Sequence, residues 1–210
     1  MALLAIHTAQ AVCDVALQRD DGRLFERTEA LARGQDARLP GLVAELLAEA
    51  GMAFGDLTRL AVIVGPGSFT GVRVGVAYAR GLALVRDLPV VGVTSLEACL
   101  DPARLQDPVR VALLARRRPP DRSLWVQTVG PAGGLEPPSE HDLDRLAPAG
   151  HLTVSDAPEV ASDPSAAAPH PRARWTAAWG ARLDPATHPA SPVYVRPPDA
   201  TPAPPTPTLA

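Results

Sequence analysis

A glycine-rich segment between an apolar run and a helical pattern constrains the fold of this chain most strongly. It comprises Gly65, Pro66, Gly67, Ser68, Phe69, Thr70 and Gly71, and it follows the apolar residues 60–64. Glycine permits positive φ and close backbone approach, and Ser68 or Thr70 can cap the following helix. The segment is therefore either a tight strand-to-helix turn or a cradle of free N–H groups for an anion. Its spacing matches neither GxxxxGK[ST] nor GxGxxG, and the chain contains no Lys to reach a phosphate.

The periodicity of the first hundred residues predicts the order β-β-β-α-β-α-β-α. An Asp-Gly pair at residues 21–22 lies between apolar runs and indicates a hairpin. Residues 39–51 repeat apolar side chains at helical spacing and end on a glycine, and Thr94-Ser95 can cap a short third helix. This order predicts an α/β fold with a mixed sheet covered by helices. The predicted strands are residues 3–8, 11–18, 23–28, 60–64 and 89–93, and the second helix is residues 71–85.

The second half of the chain has weaker periodicity and holds most of the 24 prolines. The end of the chain is rich in Pro and Thr without apolar periodicity, which is typical of disorder. The predicted domains are residues 1–104, a smaller degenerate domain at residues 105–198, and a disordered tail at residues 199–210. Within the second domain the sequence predicts strands at residues 109–115, 124–129 and 151–155, a loop at 157–171 and a helix at 174–183.

The second predicted helix carries small residues at every fourth position, namely Gly71, Gly75 and Ala79. Each interior glycine costs about 1 kcal/mol relative to alanine in a helix, so a packing reason is expected. A stripe of small residues lets another backbone come close. That backbone belongs either to the chain's own sheet or to a helix of another chain, and the spacing favours neither.

Charge and cysteine usage narrow the function classes. The net charge of -3 and the pI of about 5.9 argue against independent binding of nucleic acid, and the run Arg116-Arg117-Arg118 is typical of a solvated turn. Cys13 and Cys99 lie in apolar segments without a CxxC motif, which predicts buried thiols in a reducing compartment. No signal-peptide pattern and no sufficiently long apolar run occurs, so the sequence predicts a cytoplasmic protein.

Several segments resemble the TsaB (YeaZ) family, the dimerisation subunit of the bacterial complex that installs threonylcarbamoyladenosine (t6A) in tRNA. The central run is GPGSFTGVRVGVAYARGLAL at residues 65–84, followed by LPVVGVTSLEA at residues 88–98. The opening LLAIHTAQAVCDVAL is similar to the family's first hairpin, and RGQDARLPGLVAELLAEAG to its first helix. PVYVRPPD at residues 192–199 resembles its closing motif. The resemblance is strong over residues 1–100 and weak between residues 100 and 192.

The resemblance implies an actin-like (ribonuclease H-like, ASKHA) fold with two such domains, the second reduced. It implies a non-catalytic accessory subunit that pairs with the catalytic paralogue TsaD through the first two helices. The complex also contains the ATPase TsaE. The resemblance implies that the accessory subunit contacts tRNA only through the complex and does not bind a membrane. No cofactor, metal or catalytic residue is expected in this chain alone. A homodimer of the isolated chain and a nucleotide at the interface with TsaD remain open.

Two sets of residues follow from the resemblance. The glycine-rich loop consists of the segment 65–71 together with Arg73. The predicted partner interface consists of Leu39, Leu42, Val43, Leu46, Gly71, Val72, Gly75 and Ala79.

One departure from the family pattern bears on the alternative functions. His7 stands where the family usually has an acidic residue in its first strand, and Thr8-Ala9 and Gln35-Asp36 are smaller departures. Actin-like ATPases use that acid to hold a metal-bound phosphate, so His7 argues against a stand-alone actin-like ATPase or small-molecule kinase. An M22-type metallopeptidase needs two histidines one helical turn apart, and none of the five histidines forms an HxxxH pair.

Overall fold

The computed structural model of the chain describes residues 1–117, 121–165 and 167–195. Its first sheet has the strand order β3-β2-β1-β4-β5. The pairs β1–β2 and β2–β3 are antiparallel, whereas β1–β4 and β4–β5 are parallel. The mixed α/β sheet predicted from the sequence is confirmed. The strands are β1 Leu3–His7, β2 Val12–Gln18, β3 Leu24–Ala30, β4 Arg59–Gly65 and β5 Val90–Thr94.

Helices cover both faces of this sheet. Helix α1 Gln35–Glu49 and helix α2 Phe69–Arg86 pack on one face, and helix α3 Ala173–Gly180 packs on the other. Successive side chains of a strand point to opposite faces. In β1, Leu4 and Ile6 therefore join the core under α1 and α2, while Leu3 and Ala5 join the core under α3. Burial on both faces explains why β1 is apolar without alternation.

The third predicted helix is a single turn of 3-10 helix, Glu97–Cys99. The N-cap position is Leu96, and the Thr94 hydroxyl two residues earlier accepts a hydrogen bond from the Glu97 backbone N–H at 3.0 Å. The Glu97 carboxylate accepts from the Thr94 backbone N–H at 2.7 Å. This reciprocal pair has the hydrogen-bond pattern of a capping box.

A second sheet has the order β10-β6-β7-β8, and β9 also pairs with β7. The predicted strand pair at residues 109–115 and 124–129 is confirmed, and the strand predicted at 151–155 begins at Thr153. The two short strands β8 and β9 were not predicted. The strands are β6 Val109–Arg116, β7 Ser123–Gly130, β8 Gly133–Gly134, β9 Ser139–Asp142 and β10 Thr153–Ser155.

The helix predicted at residues 174–183 is α3, and its packing differs from the expectation that it belongs to the second half. Ala173 and Ala177 pack against β1 and β2 of the first sheet. The side chain of Trp179 is fully buried and donates from Nε1 to the Glu97 carbonyl at 2.8 Å. The predicted domain boundaries remain a prediction. The predicted tail at residues 199–210 and Arg118 lie outside the described residues.

Candidate partner-binding surface and glycine-rich loop

The glycine-rich loop joins β4 to α2, and Ser68 is the residue that caps the helix. The Ser68 hydroxyl accepts a hydrogen bond from the Gly71 backbone N–H at 3.3 Å, and the helix begins at Phe69. The Ser68 backbone N–H donates to the Ala9 carbonyl at 2.7 Å. The loop is therefore held against the connection between β1 and β2.

Close approach to that connection explains the glycines. A Cβ atom at Gly67 would clash with the Ala9 carbonyl oxygen, and a Cβ atom at Gly71 would clash with the Thr8 carbonyl oxygen. The Thr8 hydroxyl donates to the Gly71 carbonyl at 2.7 Å. Atoms of the chain itself thus fill the space beside the loop, which favours the tight strand-to-helix turn over an anion cradle.

The small-residue stripe of α2 faces the chain's own sheet. A Cβ atom at Gly75 would lie 2.5 Å from the Thr8 hydroxyl oxygen and 3.4 Å from a methyl carbon of Val62. Gly71 and Ala79 are buried on the same side of the helix. Of the two alternatives for the stripe, packing against the sheet is the one that the structure contains.

This packing corrects the predicted interface residues. All eight are buried within this chain, because they form the sides of α1 and α2 that cover the sheet. A partner of these helices would meet their opposite faces instead. The residues that the structure removes from the predicted interface are Leu39, Leu42, Val43, Leu46, Gly71, Val72, Gly75 and Ala79.

The outward faces of α1 and α2 each carry a strip of small and apolar residues between their charged side chains. Leu84 and Val85 are 86% and 79% exposed, and a Cβ atom at Gly81 would meet nothing within 4 Å. On a helix, residues three and four positions apart share a face. We give the name two-helix surface to a set of exposed residues on these outward faces. They are Ala37, Gly41, Ala44 and Ala48 of α1, and Ala77, Gly81, Leu84 and Val85 of α2.

His7, which stands where the family resemblance leads us to expect an acidic residue, is buried. His7 ends β1, is 1% exposed, and accepts a hydrogen bond at Nδ1 from the Ala9 backbone N–H at 3.3 Å. Burial, and to a lesser degree the charge of His170, lowers the pKa of His7 to about 3. The ring is therefore neutral at pH 7. Its Nε2 has no hydrogen-bond partner within the described residues.

Asp14 lies opposite His7 in the antiparallel register of β1 and β2. One carboxylate oxygen accepts from the Thr28 hydroxyl at 2.7 Å, and the other accepts from the Ala173 backbone N–H at 2.8 Å. Burial raises the pKa of Asp14 while these hydrogen bonds oppose the rise. Asp14 therefore anchors the first turn of α3, where a carboxylate complements the helix dipole. Within the described ranges, no three His, Cys, Asp or Glu side chains cluster as metal ligands.

The closing segment of the family resemblance meets its central run at the start of α2. The Val193 backbone N–H donates to the Val64 carbonyl at 2.7 Å, so the closing segment lies beside the end of β4. There, the ring of Tyr194 lies 5.2 Å from the ring of Phe69. Arg73 contacts both rings. Its guanidinium carbon is 3.8 Å from the centre of the Phe69 ring.

Comparisons with known proteins place this fold. A family model described as "TsaD: tRNA N6-adenosine threonylcarbamoyltransferase" matches residues 29–118. The chain is 43% identical over 96 residues to the tRNA threonylcarbamoyladenosine biosynthesis protein TsaB of Escherichia coli. It is 34% identical over 210 residues to a Mycobacterium tuberculosis protein described as uncharacterized, covering 95% of this chain and 94% of that protein. A solved structure, YeaZ from Pseudomonas aeruginosa, matches with a TM-score of 0.70 and 26% identity, covering 92% of this chain and 99% of that one.

The chain belongs to the TsaB (YeaZ) family. The actin-like α/β fold implied by the sequence is thereby confirmed. The match with the E. coli TsaB protein covers 46% of this chain and 41% of that protein, so the chain spans less than half the length of this curated relative. The family model covers residues 29–118, which include α1, the glycine-rich loop and α2. Among the described helices, none is long and apolar enough to cross a membrane.

Proposed function

We propose that this TsaB-family chain is a non-catalytic accessory subunit that pairs with the catalytic paralogue TsaD in the formation of t6A in tRNA. The observation that carries this proposal is the two-helix surface. It lies within residues 29–118, the part of the chain that matches the family model named for the transferase.

The two-helix surface has the composition of a helix-packing interface. Small residues at Ala44 and Gly81 allow a second pair of helices to approach closely. Leu84 and Val85 stand in water although they are large and apolar, and contiguous exposed apolar groups on a soluble protein mark interaction sites. A paralogue with the same fold would present equivalent helices, so like helices would pack against like.

The same family expectations supply the remaining partners. TsaE, an ATPase, would join the pair, and this chain would reach tRNA only through the complex. The net charge of -3 supports an indirect contact with tRNA, since an RNA-binding surface is usually basic. A nucleotide at the joint interface belongs to this proposal, and the chain alone is proposed to bind no cofactor.

A catalytic role is the second candidate, because the matching family model is named for the transferase itself. Two observations favour the accessory role. His7 is neutral and buried where an ATPase would need an exposed carboxylate, and the loop at Gly67 and Gly71 is packed by the chain's own carbonyl groups. Transfer of a threonylcarbamoyl group to tRNA, or hydrolysis of ATP, by the purified isolated chain would favour the second candidate.

The test measures both the association of the chain with TsaD and the amount of t6A in tRNA. The chain is co-expressed with the TsaD paralogue of the same organism, and co-purification is measured. In parallel, the gene is depleted and the t6A content of tRNA is measured by nucleoside mass spectrometry. We expect a stable pair and a loss of t6A that the wild-type gene restores. A chain that fails to co-purify and whose depletion leaves t6A unchanged would contradict the proposal.

A further inference from the structure

Helix α2 carries an uncompensated positive edge. Between Phe69 and Arg86 it contains Arg73, Arg80 and Arg86 and no acidic residue. Within the described ranges, none of these arginines has a carboxylate within 4.0 Å. Arg73 and Arg80 are seven positions apart, so they share one side of the helix about 10.5 Å apart along its axis.

Helix α1 differs, because its one arginine and its two glutamates form ion pairs within the chain. Arg38 forms hydrogen bonds with Glu29 and with Glu45, at 2.8 Å in each case for the Nε and Nη1 atoms. Arg27 lies 3.0 Å from Glu49. Unpaired positive charge beside the two-helix surface therefore belongs to α2.

The side chain of Arg73 is preorganised for binding a ligand. Its Nε donates to the Tyr194 hydroxyl at 2.8 Å, and its guanidinium lies over the Phe69 ring. These contacts fix the plane of the guanidinium, and among residues 1–117, 121–165 and 167–195 its terminal amino groups have no acceptor, so they can bind a bidentate one. Because the orientation is set in advance, less side-chain entropy is lost when a carboxylate binds.

Arg80 stands at the rim of a cavity of about 460 Å³ between the second half of α2 and residues 185–191. Leu84, Leu88 and Val90 supply one apolar side, and Pro189 and Ala190 supply the other. Asp87 also lines the cavity but forms no ion pair with Arg80 in the described structure. A pocket of this kind fits one apolar anchor of a protein partner.

We propose that this arginine edge, formed by Arg73, Arg80 and the cavity, binds an acidic segment of the protein partner. The segment would carry two carboxylates about 10.5 Å apart, one for each arginine, and an apolar side chain for the cavity. The proposal rests on the proposed function, since the edge borders the two-helix surface at Ala77 and Leu84. A protein fits better than tRNA, because two cations on a chain of net charge -3 are few for a phosphate backbone.

The experiment uses the full chain and the TsaD paralogue of the same organism. Binding of wild type, Arg73→Glu, Arg80→Glu and Arg73→Lys is measured calorimetrically at low and high salt. Arg145→Glu is the matched control, because Arg145 is exposed in the 3-10 turn that follows β9 and the substitution makes the same charge change away from α2. Circular dichroism verifies that each variant is folded.

We expect each reversal to weaken binding about tenfold or more, because hydrogen bonds to charged groups are among the strongest surface contacts. Arg73→Lys should lose part of this, since Lys keeps the charge but not the bidentate geometry. Arg145→Glu should bind as wild type does. Replacing a carboxylate of the partner by Arg should restore binding of one reversed variant.

Two results would overturn the inference. In the first, the wild-type pair forms but both reversals bind as tightly as the Arg145→Glu control. In the second, the reversals keep the partner and weaken only the binding of tRNA to the complex, which would make the acceptor a phosphate. Absence of any wild-type pair is a different result, because it contradicts the proposed function itself.

Discussion

Arg73 donates from Nε to the hydroxyl of Tyr194 at 2.8 Å, across 121 positions of sequence. The contact joins the start of α2 to the closing segment of the chain. Both side chains are exposed, so a partner protein can contact the pair. Its contribution to stability is accordingly small.

The first prediction isolates this pair. Tyr194→Phe removes the hydroxyl and keeps the ring, so we expect the free energy of unfolding to fall by about 0.5–1 kcal/mol. In an Arg73→Ala background, Tyr194→Phe should change the free energy of unfolding very little, because the Arg73 donor to the hydroxyl is already gone. Urea denaturation of the two single variants and the double variant measures the coupling. Strictly additive effects would mean that the hydrogen bond contributes nothing in solution.

The second prediction separates the two faces of α2. Gly75→Leu should unfold or strongly destabilise the chain, because its side chain would enter the space of Thr8 and Val62. Gly81→Leu should fold, since its position is open and Leu has the higher helix propensity by something under 1 kcal/mol. We expect the Gly81 variant to lose its partner, because the added bulk prevents helix approach.

Gly150→Leu is the control for this comparison, because that position is equally open and lies outside α2. Circular dichroism reports folding, and co-purification with the TsaD paralogue reports pairing. A folded Gly81→Leu chain that still binds the paralogue would remove α2 from the interface.

The sequence predicted the first sheet and its two helices because their signals are local. Apolar runs without alternation mark the central strands, and apolar spacing at i, i+3 and i+4 marks α1. The weak signals are those that depend on tertiary partners. Strand β8 is only Gly133–Gly134 and strand β9 is the polar Ser139–Asp142, and both exist because β7 offers them an edge.

The candidate interface shows the same division. Spacing identified the two helices but could not assign their faces, because a stripe of small residues suits the chain's own sheet and a foreign helix equally. The contact of Gly75 with Thr8 decides for the sheet. The pairing of Arg73 with Tyr194 was beyond sequence reasoning, since no periodicity links residues that far apart.

The third prediction concerns the junction of the two sheets. The buried Glu97 carboxylate accepts from the Gly134 backbone N–H at 2.8 Å and from the Thr94 backbone N–H at 2.7 Å. In Glu97→Gln one of these donors would face the amide NH₂, so we expect a loss of about 1–3 kcal/mol in the free energy of unfolding. Glu159→Gln, which removes an exposed ion pair with Arg122, should leave the free energy of unfolding nearly unchanged. Equal effects of the two substitutions in urea denaturation would contradict this account of the junction.

The last prediction concerns the effect of the buried His7 on the pH dependence of stability. The pKa of His7 is about 3 in the folded chain and its ordinary value is 6.5, so between these values the unfolded chain binds more protons. The contribution of His7 is therefore constant above pH 6.5 and is lost as the pH falls toward 3, by up to about 1.4 kcal/mol per pH unit. His7→Gln should lack this slope, and the raised pKa of Asp14 cancels when the two proteins are compared at each pH. Denaturant titrations from pH 7 to acid measure the difference, and parallel curves for both proteins would mean that His7 is open to water.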